Sequence, residues 1–63
     1  MNIKFFEVGE RVEIVSLISG LKHRQKKGKV YGRVTNIDGE YHLVRPMWCT
    51  WETELYRNEM RKA

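Results

Sequence analysis

Between residues 22 and 33 the chain places Lys22, Arg24, Lys26, Lys27, Lys29 and Arg33 around one aromatic residue, Tyr31. Ammonium and guanidinium groups neutralise phosphates and release their counterions, and a tyrosine face stacks on a base. This combination suits nucleic acid, and these seven residues are the expected nucleic-acid-binding set. The charge distribution sharpens the point. No acid occurs between Ile14 and Ile37; that stretch sums to +6 and each flank to about −1, within a net charge of +4. The competing reading is an ordinary solvated strand face beside a mobile loop.

Trp48 and Trp51 are the second group. Two indoles in a loop of a small domain are costly when exposed. Either a ring folds back into the core, the expectation for Trp51, or it serves a partner, as tryptophan does at binding hot spots and in polyproline grooves. For Trp48 both readings stand.

His23, His42 and Cys49 are scattered singles without zinc-ligand spacing and without a companion for general acid–base work. His42 is expected to pack within a strand beside Tyr41 or Tyr31, and Cys49 to be inert. The sequence therefore leads us to expect no catalytic residue, no metal and no cofactor. Asp38, Glu40, Glu52, Glu54 and Glu59 form a weak acidic side that could align copies of the chain head to tail.

These side chains need elements to hold them. Val12 and Ile14 alternate with Arg11 and Glu13, which predicts a half-buried strand over 11–15. Residues 16–27 read as a long loop with an exposed basic tip; a short helix over 16–24 is the alternative, weakened by Gly20. A strand from Lys29 to about Asn36 puts Val30, Gly32 and Val34 on one face and Lys29, Tyr31, Arg33 and Thr35 on the other. Gly32 marks a bend or a close backbone approach. Asp38-Gly39 signals a hairpin turn. A third strand over 40–47 is ambiguous in facing, because Tyr41, Leu43 and Arg45 alternate with His42, Val44 and Pro46 and both sets are partly apolar. Residues 48–51 lack Gly, Asn and Asp and make a poor turn by composition. A fourth strand over 51–56, with Trp51, Thr53 and Leu55 on one face, leads to a helical turn at 57–60 that drops Met60 into the core. Residues 61–63 are expected to fray. Phe5 or Phe6 plugs one end.

Sixty-three residues make one expected domain, 1–63, of marginal stability. One cysteine gives no internal disulfide and suits a reducing compartment. The sequence shows neither a signal-peptide pattern nor a membrane-length apolar run, so a cytoplasmic protein is expected.

Four or five short antiparallel strands with one long loop and a terminal helical turn describe an all-β, SH3-like barrel. Gly9-Glu10-Arg11-Val12, Gly28-Lys29-Val30-Tyr31-Gly32, Asp38-Gly39-Glu40-Tyr41 and Glu54-Leu55-Tyr56-Arg57-Asn58-Glu59-Met60 resemble the small SH3-like or KOW-like barrels of bacteria and phages. More narrowly, the chain from Gly9 onward is similar to the plasmid-encoded type II dihydrofolate reductases, barrels that assemble as tetramers around a pore. That family's Val-Gln-Ile-Tyr strand corresponds here to Thr53-Glu54-Leu55-Tyr56, with glutamate replacing glutamine. Glu13, Ile14 and Val15 stand where the family carries a lysine. A ring of Glu54 carboxylates would repel itself and the phosphates of a nicotinamide cofactor, so the resemblance implies the barrel and argues against the activity.

The expectation is a small non-catalytic module that contacts nucleic acid, or a complex that handles it, and can self-associate. A protein-binding module centred on Trp48 and Trp51, and a tetrameric reductase-like enzyme, are the alternatives.

Overall fold

Period-two alternation of small branched apolar residues builds the sheet. In this computed structural model, which describes residues 6–63, the strands are β1 (Arg11–Ile14), β2 (Val30–Asp38), β3 (Tyr41–Pro46), β4 (Thr53–Tyr56) and β5 (Met60–Lys62). All neighbours pair antiparallel in the order β4-β3-β2-β1-β5. The five strands curl into a half-barrel, the all-β architecture expected from the sequence. Its concave side is filled by Val12 and Ile14 of β1, Val30 and Val34 of β2, Val44 of β3, Leu55 of β4 and Met60 of β5, closed by Phe6 and Leu21. Phe5 lies outside the described residues.

The facing of β3 is settled by its register on β2. Val34 pairs with Val44 and Gly32 with Pro46, so His42, Val44 and Pro46 turn inward and Tyr41, Leu43 and Arg45 outward. A bulge between Val34 and Asn36 bends β2. Beyond it the strand runs through Asp38, which pairs with Tyr41, so the two-residue turn is Gly39-Glu40, one residue later than the Asp38-Gly39 signal, with Gly39 at φ 62.

Three expectations are corrected. Residues 16–27 are not an extended loop: Ser19–Leu21 forms a 3₁₀ turn and Lys22–Lys27 a helix, α1, later in the chain than the alternative over 16–24. Leu21 anchors the turn in the core, and Gln25 holds the helix against the preceding segment. Its Nε2 donates to the Ser16 carbonyl at 2.8 Å, while its Oε1 accepts from the Ile18 N–H at 3.1 Å. The fourth strand starts at Thr53, because Trp51 lies before it. Finally, Arg61 and Lys62 do not fray. The 3₁₀ turn Arg57–Glu59 reverses the chain, and Met60–Lys62 pairs with β1 as β5.

At the end of β3 away from Arg45, Tyr41 and Tyr56 face one another across β3 and β4, with ring centroids 4.4 Å apart and their hydroxyls hydrogen bonded. The hydrogen bond to Tyr41, then desolvation and the charges of Tyr41, Glu40 and Glu59, hold the Tyr56 phenol above its ordinary value of 10.0. A raised folded-state value means that this pair's contribution is complete below pH 10.0 and is lost as pH rises through the folded-state value. In absorbance titration of tyrosinate, Tyr41→Phe should move the latest-ionising phenol back toward the ordinary value. An unchanged titration would mean that the two hydroxyls do not share a proton.

No helix among the described residues is long and apolar enough to cross a membrane.

Candidate functional site

The outward face of the half-barrel gathers cations that the linear sequence keeps far apart. Arg11 of β1 lies opposite Arg33 of β2, and Arg33 lies opposite Arg45 of β3. Directly opposed like charges destabilise a sheet, and here three guanidinium-bearing residues share one row. Arg11 is stacked over the Tyr31 ring, its Cζ 4.7 Å from the centroid. One Nη of Arg33 donates to the Gly9 carbonyl at 2.8 Å. Among the described residues, no carboxylate forms an ion pair with any member of the row; the ion pair found lies at a sheet edge, between Lys62 and Glu10 at 3.2 Å.

Above the row stands Trp48. Its turn is built from Pro46 to Cys49, closed by the Cys49 N–H donating to the Pro46 carbonyl at 3.1 Å. The third residue of such a turn needs positive φ when the turn is type II, a position that favours glycine. Trp48 fills it at φ 70, and is the non-glycine residue with positive φ among those described. The ring gains almost no burial in return, being 89% exposed. A bulky side chain in the left-handed region with nothing packed over it is the kind of local strain that collects at functional positions.

Trp48 separates two open depressions. The larger, of about 450 Å³, is lined by Arg11, Arg24, Lys27, Lys29, Tyr31 and one side of Trp48. The smaller, of about 230 Å³, is lined by Arg33, Thr35 and Arg45 with Trp48 again at its wall. Only Met47 and Trp48 border both. The turn is tied down from both sides: the Met47 N–H donates to the Tyr31 carbonyl at 2.9 Å, and an Arg24 Nη lies 3.5 Å from Cys49 Sγ, linking α1 to the turn.

The structure therefore sorts the sequence-derived residues. Arg24, Lys27, Lys29 and Tyr31 converge on the larger depression, and Arg33 belongs to the smaller one. Lys22 and Lys26 are exposed on α1 and line neither. Trp48 is almost fully exposed, whereas Trp51, expected to fold into the core, is 39% exposed and lies over Gly20, where an added Cβ would sit 3.0 Å from Cζ2 of the indole. His42 packs edge-on against Phe6, with centroids 5.6 Å apart, rather than against Tyr41 or Tyr31; its Nδ1 lies 3.1 Å from the Glu40 carbonyl. His23 is exposed on α1. Arg11 and Arg45 were not singled out by sequence reasoning, because each lies outside the basic run and joins it only through strand register.

No family model, curated protein or solved structure matches the chain. The site has to be read from its own chemistry.

Among the described residues, no group of three or more His, Cys, Asp and Glu side chains is placed to hold a metal ion. What the arrangement offers is an almost fully exposed indole beside a row of three arginines, two of them held in place. Exposed indoles can stack on planar rings, and arginine can pair with anions.

Proposed function

We propose that the protein binds single-stranded nucleic acid, with bases stacking on Trp48 and Tyr31 and phosphates held by Arg11, Arg24, Lys27, Lys29, Arg33 and Arg45. The observation that carries this reading is the strained, almost fully exposed Trp48 between two basic depressions. Stacked bases in a duplex hide their faces, so a plate of this kind is best used by unpaired bases. The Arg11–Arg33–Arg45 row supports the same reading. It costs stability in the free protein and is relieved when an anion is bound.

Binding should fall steeply with salt. If three phosphates are contacted, the slope of log affinity against log salt for a single strand is about −2, or about a twentyfold loss between about 50 and about 200 mM salt. Fluorescence titration of Trp48 with a mixed-sequence oligonucleotide measures it. An affinity flat in salt, or no binding of DNA or RNA at low salt, would sink the proposal. A tryptophan signal that answers a protein and not an oligonucleotide would replace it with the protein-binding reading.

A further inference from the structure

We propose that the smaller depression selects guanine, so that this chain prefers single strands carrying that base. The inference rests on the single-strand reading above and gives it a base preference. The two sides of Trp48 differ chemically. The larger depression is lined by four cations and Tyr31, with no carboxylate, and suits any base with its phosphate. The smaller one is lined by donors and has a carboxylate acceptor beside it, one hydrogen bond from its wall. Arg33 and Arg45 lie opposite each other on β2 and β3 at its wall. Thr35, two residues along β2 from Arg33, lines the same depression, and its hydroxyl hydrogen bonds the Glu52 carboxylate. Glu52 is not itself part of that lining; the bond to Thr35 brings its carboxylate beside the depression, and among the described residues it forms no ion pair with either arginine.

A ligand that meets both kinds of group must present acceptors to the arginines and donors to the carboxylate. Guanine does this on adjoining edges. Its O6 and N7 accept from a guanidinium fork, the commonest specific contact to this base. Its N1–H and N2 amino group donate toward a carboxylate, which accepts at both oxygens. Adenine lacks the O6 acceptor and offers an amino group there, which the arginines reject. Cytosine and thymine present a single narrow edge and cannot meet both groups at once. Thr35 holds the Glu52 carboxylate in place, and Trp48 supplies the stacking face.

The test compares labelled heptathymidylate with the same oligomer carrying one central guanine, adenine, cytosine or hypoxanthine, by fluorescence anisotropy at low salt. The guanine oligomer should bind about tenfold more tightly than heptathymidylate, as one good bidentate base contact provides. Hypoxanthine, which lacks the N2 amino group, should fall between them. Glu52→Gln should cut the ratio of guanine to thymine affinities to about twofold or less, and Arg45→Gln should also lower it. Equal binding of all five oligomers would overturn the guanine preference and leave the single-strand reading intact. Binding of none would overturn the single-strand reading itself.

Discussion

Replacing Trp48 by glycine is expected to weaken oligonucleotide binding about a hundredfold while leaving the fold as stable as before, or more so. The binding loss follows from stacking, at about 1–3 kcal/mol per base, on an almost fully exposed indole. The stability follows from the backbone. Trp48 holds φ 70, where an L-residue pays roughly 1–2 kcal/mol that glycine does not. Glycine returns about 0.5–1 kcal/mol of that through its greater freedom when unfolded. The lost side chain costs little burial, because it is 89% exposed. The net gain is between zero and about 1 kcal/mol, a rise in melting temperature of up to about 8 °C for a domain of this size. Trp48→Ala separates the two effects: it removes the plate but keeps a Cβ in the left-handed region, so it should lose binding equally and gain no stability. Thermal denaturation of the three proteins, with oligonucleotide affinity measured in parallel, checks both halves. A glycine variant that binds as well as the parent would show that the indole carries no contact. A glycine variant that melts well below it would show that the ring supports the fold.

The contrast between that turn and the central hairpin explains how much of the molecule can be read from sequence. The facing of β2 is written locally, since Val30, Gly32 and Val34 alternate with Tyr31, Arg33 and Thr35, and the burial pattern follows. In β3 both faces are partly apolar, and only pairing of Val44 with Val34 decides between them. Residues in α1 carry no apolar stripe and none is buried, so no periodicity announces the helix; it is held by Leu21 before it and by the two hydrogen bonds of Gln25. β5 forms because β1 offers an edge to pair with, a long-range fact invisible in the sequence Met60-Arg61-Lys62. The candidate site divides the same way. Charge counted along the chain finds Arg24, Lys27, Lys29 and Arg33. It misses Arg11 and Arg45, which join the row only through register. The signal for Trp48 was present in a negative form: residues 48–51 lack the amino acids that turns use, and the chain turns nonetheless, two residues earlier, at the cost of a strained tryptophan.

Gly32→Ala should be the most damaging small substitution in the sheet. An ideal Cβ on Gly32 would lie 2.7 Å from Val44 Cγ1, 2.9 Å from the Arg45 carbonyl oxygen and 3.2 Å from Pro46 Cα. Two of these are backbone atoms that cannot rotate away, so β2 and β3 must separate. Overpacking of this sort costs about 1–3 kcal/mol, and a clash with backbone belongs at the upper end. A domain of this size has only roughly 3–9 kcal/mol in total. A loss of about 3 kcal/mol would lower the melting temperature by about 12–24 °C. Gly28→Ala is the internal control: nothing lies within 4 Å of its Cβ position, and its backbone, at φ 167, is extended. Removing its excess freedom should leave stability unchanged or raise it by up to about 1 kcal/mol. Urea unfolding of both variants decides the matter, and equal midpoints would mean that the two strands are farther apart than the register requires. The close approach also reaches the candidate site. Gly32 lets Pro46 settle against β2, and the turn that carries Trp48 begins at Pro46 and is anchored one residue later by the Met47 N–H on the Tyr31 carbonyl. Any Gly32→Ala molecules that remain folded should therefore hold Trp48 displaced from the arginine row. Their affinity for oligonucleotide should fall further than their folded fraction accounts for, and a fall equal to that fraction would show that the turn is placed independently of the glycine.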